Sequence, residues 1–356
     1  MIKNLLVLFL SIFLILFISE LLLHLVWQNP YKDSNKSSYV ELRQQRSNIN
    51  KKFDRNWLSK ETPLVNFRTD SSGYILPSNQ HLNPDYSIAF LGGSTTECSY
   101  VREDLRFPAL VSKILKSNSG LNINTYNAGR SGNTSHDAVN LLLNKIVLDS
   151  PAIAVLMEAT NDAGVLSINH SYNSRMGGDL TINDILRWFG LLFSSKIGLV
   201  ALTREAFTNL QIRIGQRQGA PETSTGGQVI HSITPSDIKG FEARLKAFIG
   251  VAKAFKIHPV LMTQPLAESS NALTPDWASN SDQDKMNEAI KIVSIEEKVD
   301  LIDLAGYLKS NIPEYRSNPQ SIFYDGMHVN DQGSKIYAEY IASKLDEIIR
   351  LLNHSR

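Results

Sequence analysis

The sequence has almost no cysteine. Cys98 stands alone among 356 residues, so a disulfide within the chain is excluded, as is a metal site built from several thiolates. A lone cysteine reads most simply as a small packed side chain. Excess charge is missing too: 36 basic side chains face 35 acidic ones, for a formal net charge of +1. There is no basic stripe, long basic run or zinc-finger spacing, so nucleic acid is not expected as a partner. No internal repeat is found. The phosphate-loop pattern Gly-x-x-x-x-Gly-Lys-Ser/Thr is absent.

What remains is the composition of an ordinary folded chain, 42% hydrophobic and 20% charged. Its length suits one large domain or two small ones with a sizeable core. One long hydrophobic run stands out. From Leu5 to Ile18 every residue is apolar except Ser11, and after Ser19 and Glu20 the apolar character resumes through Leu21 to Trp27. Spanning a bilayer takes roughly 20 mostly apolar residues. Residues 1–27 are therefore expected to form a transmembrane anchor, with Trp27 and Tyr31 at the interface. A cleaved signal peptide is the competing reading, but Ser-Glu-Leu-Leu-Leu-His offers a poor cleavage site. Lys3 and the amino terminus favour an N-in anchor, whereas Lys32, Lys36, Arg43 and Arg46 point the other way. That rule is weak for long translocated domains, and the expectation is a single-pass protein with an extracytoplasmic domain.

Residues 28–60 are polar and mixed in charge and read as a linker or membrane-proximal segment. From 61 to 356 a single domain is expected. Strand signals occur at Tyr86–Leu91, Asn122–Tyr126, Pro151–Met157, His258–Thr263 and Val299–Asp303. Helical periodicity covers Arg106–Leu115, Ser135–Leu148 and Lys335–Leu352. Alternating strands and helices imply a parallel sheet flanked on both faces, with ligands at the carboxyl ends of the strands. The rhythm breaks at about 164–234. There Thr181–Arg217 reads as helical and Gly219–Ser232 as a Gly/Ser/Thr-rich loop. This is expected to be an insertion, either a lid or membrane-contacting cap or plain packing helices.

Four segments carry chemistry. Phe90-Leu-Gly-Gly-Ser-Thr-Thr-Glu97 places Ser94 at a tight turn from strand to helix. Its backbone N–H groups there suit developing negative charge. By itself this also describes a helix N-cap, and the Gly-x-Ser-x-Gly elbow is absent because Thr96 takes the last glycine's position. Asp325-Gly-Met-His328 supplies a base for an otherwise weak hydroxyl nucleophile. A carboxylate three residues before the histidine can fix its tautomer. Singly, the pair also reads as a surface hydrogen bond, and a metal set of Asp325, His328 and Asp331 ranks lower for want of further ligands. Asn127-Ala-Gly-Arg-Ser-Gly-Asn-Thr134 and Ala159-Thr-Asn-Asp162 follow the next two strands. With the N–H of Ser94, the N–H of Gly132 and the amide of Asn161 can complete an oxyanion hole. Turn and cap chemistry explains each segment alone; four in this order are harder to explain that way.

In that order the four segments resemble the signature blocks of the SGNH/GDSL hydrolase superfamily. Gly93 stands where the family usually has aspartate, and Ala159 where it usually has glycine. The resemblance implies a three-layer α/β/α, flavodoxin-like fold with a mainly parallel sheet of about five strands. It also implies a serine esterase with Ser94 as nucleophile, His328 as base, Asp325 as its partner, and Ser94, Gly132 and Asn161 around the oxyanion. Such acyl transfer requires no metal or organic cofactor. The expected substrate is an ester-bearing glycan or lipid of the cell envelope, and no protein partner is indicated. An O-acyltransferase would use the same residues. A binding or assembly protein on a decayed hydrolase fold is the alternative of another class.

Overall fold

The computed structural model describes residues 2–27, 29, 42–172, 190, 193–194, 196–203, 206, 231–267 and 280–354. The chain divides into two compact units: residues 1–41 with 175–224, and residues 42–174 with 225–356.

In the first unit α1 runs over Ile2–Val26. Its segment Val7–Val26 is long and apolar enough to cross a membrane, and its side chains are not buried by the rest of the protein. Polar atoms on it find partners. The Glu20 carboxylate accepts the N–H of Gly198 and, at 2.9 Å, that of Leu199, and His24 lies 3.4 Å from it. The described part of the expected 181–217 helical stretch is largely helical, as at Gly198–Thr203. The rest of that stretch, and residues 219–230 of the expected loop, lie outside the described residues.

The second unit holds five parallel strands: β3 (Tyr86–Gly92), β4 (Ile123–Asn127), β5 (Ile153–Met157), β6 (His258–Met262) and β7 (Asp300–Ile302), ordered β4-β3-β5-β6-β7. The alternation of side chains sorts the strands' residues onto two faces. Ile88, Phe90, Val155, Met157, Val260 and Met262 pack with helices Phe107–Ser119 and Asp331–His354. Ala89, Leu91, Ala154, Leu156 and Leu261 pack with helices Ser135–Leu141, Pro235–Ala254 and Asn280–Glu296. The result is the three-layer α/β/α sandwich with a five-stranded sheet. After β3 the chain first pairs on one side, with β4, and then on the other, with β5. That reversal opens a crevice at the carboxyl ends of β3 and β5, where such folds bind ligands.

Capping explains several boundaries. Thr134 and Thr234 each begin a helix with a capping box, closed by Asp137 and Asp237. The closing helix begins at Asp331, earlier than the periodicity indicated, because Asn330 Oδ1 accepts the N–H groups of Gln332 and Gly333, each at 2.9 Å.

Two boundaries differ from the sequence reading. Residues 28–60 are not all linker. From Leu42 onward they belong to the α/β unit, and β1 (Asn50–Asp54) pairs antiparallel with β2 (Leu64–Arg68). Asn-Lys-Lys-Phe-Asp gives no apolar alternation because the strand is largely exposed. Helix Thr160–Asn169 also belongs to this unit, with Ala163 and Leu166 in its core, so the interruption starts after the expected residue 164.

The hairpin is tied to the chain beyond His328 by Arg55, which is 1% exposed. Its guanidinium meets both oxygens of Asp331 at 2.8 Å and the Tyr100 carbonyl at 2.8 Å. Removing one partner of such a pair leaves a charge uncompensated. Arg55→Ala is expected to lower unfolding stability by about 3 kcal/mol, read as a shift of the urea midpoint. A change within about 0.5 kcal/mol, the usual range for a surface substitution, would show the pair to be dispensable.

Candidate active site

Ser94 opens a short helix, Ser94–Glu97, directly after β3 and Gly93. At Gly93, where the family usually has aspartate, a Cβ would meet the Asn161 amide nitrogen, the end of a side chain that would have to shift to admit it. At the other departure, Ala159 is buried at the start of helix Thr160–Asn169, with φ −163° and ψ −55°.

His328 and Asp325 come from the turn that precedes the last helix. An antiparallel bridge between Phe323 and Val329 closes this turn, and the Tyr324 N–H bonds to the His328 carbonyl at 2.9 Å. Asp325 Oδ1 accepts the N–H of Met327 at 3.1 Å and of His328 at 2.8 Å. Its Oδ2 lies 2.6 Å from His328 Nδ1, and His328 Nε2 lies 2.6 Å from Ser94 Oγ. Burial alone would raise the Asp325 carboxyl. The hydrogen bond and charge of His328, with the two N–H groups, hold it below the usual carboxylate range instead. An ionised Asp325 accepts from Nδ1–H, which leaves Nε2 free to accept the Ser94 hydroxyl proton. The Tyr324 ring stacks on the imidazole, with centroids 5.4 Å apart and planes 8° from parallel.

Asn161 follows β5 in the first turn of Thr160–Asn169. One amide hydrogen goes to the Asn133 carbonyl at 2.7 Å. A primary amide carries two donors, so a second N–H remains. Asp162 beside it is buried and accepts from Ser135 N at 3.0 Å, from Ser135 Oγ and from Tyr172 OH at 2.5 Å. Burial pushes its carboxyl up to about 6, against the pull of those bonds. Asn161 and Asp162 thus fasten the segment that contains Gly132. That segment turns at Arg130–Asn133, closed by the Asn133 N–H on the Arg130 carbonyl at 2.9 Å. Gly132 has φ +74° in this turn, a region that glycine occupies without strain. The turn lies against the serine's own segment, with the Arg130 N–H on the Gly92 carbonyl at 3.0 Å.

The structure joins Ser94, His328 and Asp325 in one hydrogen-bonded chain and brings Asn161 and the Gly132 turn to the same corner of the sheet. Asp331, offered in the sequence reading as a third metal ligand, is paired with Arg55. Among the described residues, no group of three or more His, Cys, Asp or Glu side chains is placed to hold a metal ion. Residues the sequence reading did not single out for the site are Arg43, Glu97 and Tyr324. Glu97 is buried and accepts the N–H of Ser131 and, at 2.6 Å, the Ser99 hydroxyl. Its position three residues after Ser94 was the one available signal.

The sequence pattern of the GDSL-like lipase/acylhydrolase family matches residues 90–336. This chain belongs to that family. Solved structures similar to this family member include a lipase/acylhydrolase from Enterococcus faecalis, at 16% identity and a TM-score of 0.47, covering 74% of this chain and 96% of that one. Another is Axe2, an acetylxylan esterase from Geobacillus stearothermophilus, at 16% identity and a TM-score of 0.45, covering 74% and 95%. No curated protein matches this GDSL-type chain in sequence.

Proposed function

We propose that this family member is a serine ester hydrolase that forms an acyl-enzyme on Ser94. Its proposed substrates are acyl or acetyl esters of a cell-envelope glycan or lipid. The observation that carries the reading is the continuous hydrogen-bonded chain from Ser94 Oγ through His328 to Asp325, with 2.6 Å at each link. His328 Nε2 takes the hydroxyl proton as Ser94 Oγ attacks the ester carbonyl carbon. The carbonyl oxygen becomes negative and is held by the N–H groups of Ser94 and Gly132 and the free amide hydrogen of Asn161. The intermediate collapses, the alkoxide leaves, and His328 returns the proton to it. Water then attacks the acyl-enzyme, giving its proton to His328, and the acid is released as Ser94 regains its hydrogen. The apolar helix Val7–Val26 supports a single-pass anchor, with the catalytic domain outside the cytoplasm.

Asn161→Ala is expected to lower kcat by about 10²-fold while KM changes little, because the lost donor acts on charge that develops in the transition state. A raised KM with kcat unchanged would instead mark Asn161 as a substrate-binding group. The substrate class is tested by acyl release from acetylated glycans and from lipid esters, with and without an acceptor glycan. Free acid without acceptor is the expected product. Acyl transfer that needs the acceptor would replace hydrolase with transferase, and no release from either class would overturn the proposed substrates.

A further inference from the structure

The four-residue turn Arg130-Ser131-Gly132-Asn133 has the i to i+3 hydrogen bond of a β-turn, and φ of +74° at its third residue identifies it as type II. Types I and II differ by a flip of the central peptide, here the unit joining Ser131 to Gly132. Because that unit is planar, the direction of the Ser131 carbonyl sets the direction of the Gly132 N–H. A glycine at the third position accepts either arrangement. Something else must therefore hold the flip in one sense.

The Ser131 carbonyl accepts a hydrogen bond from Arg43 Nη2 at 3.1 Å. The same guanidinium donates from Nε to Asn133 Oδ1 at 3.2 Å, and Asn133 Nδ2 donates back to the Arg43 carbonyl at 3.1 Å. Neighbouring residues extend the clamp: Arg130 Nη1 donates to the Gln44 carbonyl, and Gln45 Nε2 to the Gly129 carbonyl at 3.3 Å. On the other side of Ser131, its N–H is taken by the buried Glu97 carboxylate. The two ends of Ser131 are thus held by opposite charges.

We infer that Arg43 is a positioning residue that locks the Ser131–Gly132 peptide in the type II sense and so aims the Gly132 N–H at the oxyanion. The inference depends on the hydrolase reading, with Gly132 as an oxyanion donor. Arg43 lies outside the family-matched residues 90–336, so this device is added to the family motif from the segment that follows the apolar helix in sequence. Flipping the peptide turns a carbonyl oxygen towards the developing negative charge in place of an N–H. The effect therefore falls on the transition state and leaves substrate binding nearly untouched.

The test uses the full-length protein in detergent, with wild type, Arg43→Ala and Arg43→Lys compared for kcat, KM and the second-order rate of labelling by a fluorophosphonate. Arg43→Ala is expected to lose roughly 10-fold or more in both kcat and labelling rate, below the full loss of a donor, with KM nearly unchanged. Arg43→Lys should retain an intermediate rate, and millimolar guanidinium should raise the rate of Arg43→Ala but not of wild type. A folded Arg43→Ala with wild-type kcat overturns the inference. So does a loss that appears only as a lower melting temperature and that neither lysine nor guanidinium relieves. If wild type itself fails to label at Ser94, the hydrolase reading fails. If wild type and Arg43→Ala label equally fast, only the clamp fails.

Discussion

Replacing Ser94 with alanine is expected to reduce ester turnover by roughly 10⁴-fold or more, the scale seen when a triad nucleophile is deleted. The proposed reaction has one nucleophile, and among the described residues no hydroxyl other than that of Ser94, at 2.6 Å, is bonded to His328 Nε2. What survives would come from oxyanion donors acting on water. Stability should change little. Among the described residues Ser94 Oγ bonds only to the imidazole, and no hydrogen bond from its side chain caps the short helix, whose N-cap is Gly93. The sequence-level alternative, Ser94 as a helix cap, predicts the reverse: a loss of about 1 kcal/mol in stability with activity retained. Steady-state rates and a urea melt on the same preparation separate the two.

The second large effect is expected at Asp325. An asparagine there keeps the shape of the turn, because its carbonyl oxygen can still accept the N–H groups of Met327 and His328. It also presents an amide donor to His328 Nδ1, which drives the ring proton to Nε2. An Nε2 that carries a proton cannot accept one from Ser94. The expected loss in kcat is about 10⁴-fold, with the fold intact. The pH profile adds a sign. The Asp325 carboxyl is held below its ordinary range, so it stays ionised as the pH falls from neutral. Loss of activity on mild acidification is therefore not assigned to protonation of Asp325. If Asp325→Asn retains turnover within a few-fold of wild type, the carboxylate has no orienting role.

The parallel strands were legible because each is a short apolar run ended by glycine or polar residues, as in Tyr86–Gly92 and Ile153–Met157. The Asp325–His328 pair was legible because its bond spans three residues and needs only one turn. The Ser94–His328 bond spans 234 positions; it was inferred from chemical complementarity and from the order of the motifs. Local pattern carried nothing for bonds that are both distant and ordinary in residue type. Arg55 finds Asp331 at a separation of 276, and Arg43 finds Ser131 at 88. An arginine on a polar segment looks the same whether it is solvated or bonded to a carbonyl across the fold. For that reason residues 42–60 read as linker, although they supply the first strand of a hairpin and the clamp on the Gly132 turn. The expected insertion boundary at about 164 fell inside helix Thr160–Asn169 for a related reason. The helix's Asn-Asp start reads as turn chemistry, whereas Ala163 and Leu166 pack in the core.

The central claim is that the Ser94 oxygen is the atom that becomes acylated. Intact-mass analysis and peptide mapping of full-length protein treated with a fluorophosphonate test it most directly. One adduct, on the peptide carrying Ser94, is predicted, with none in Ser94→Ala and much slower formation in His328→Ala. A folded protein that stays unmodified, or that carries its adduct on another residue, would contradict it.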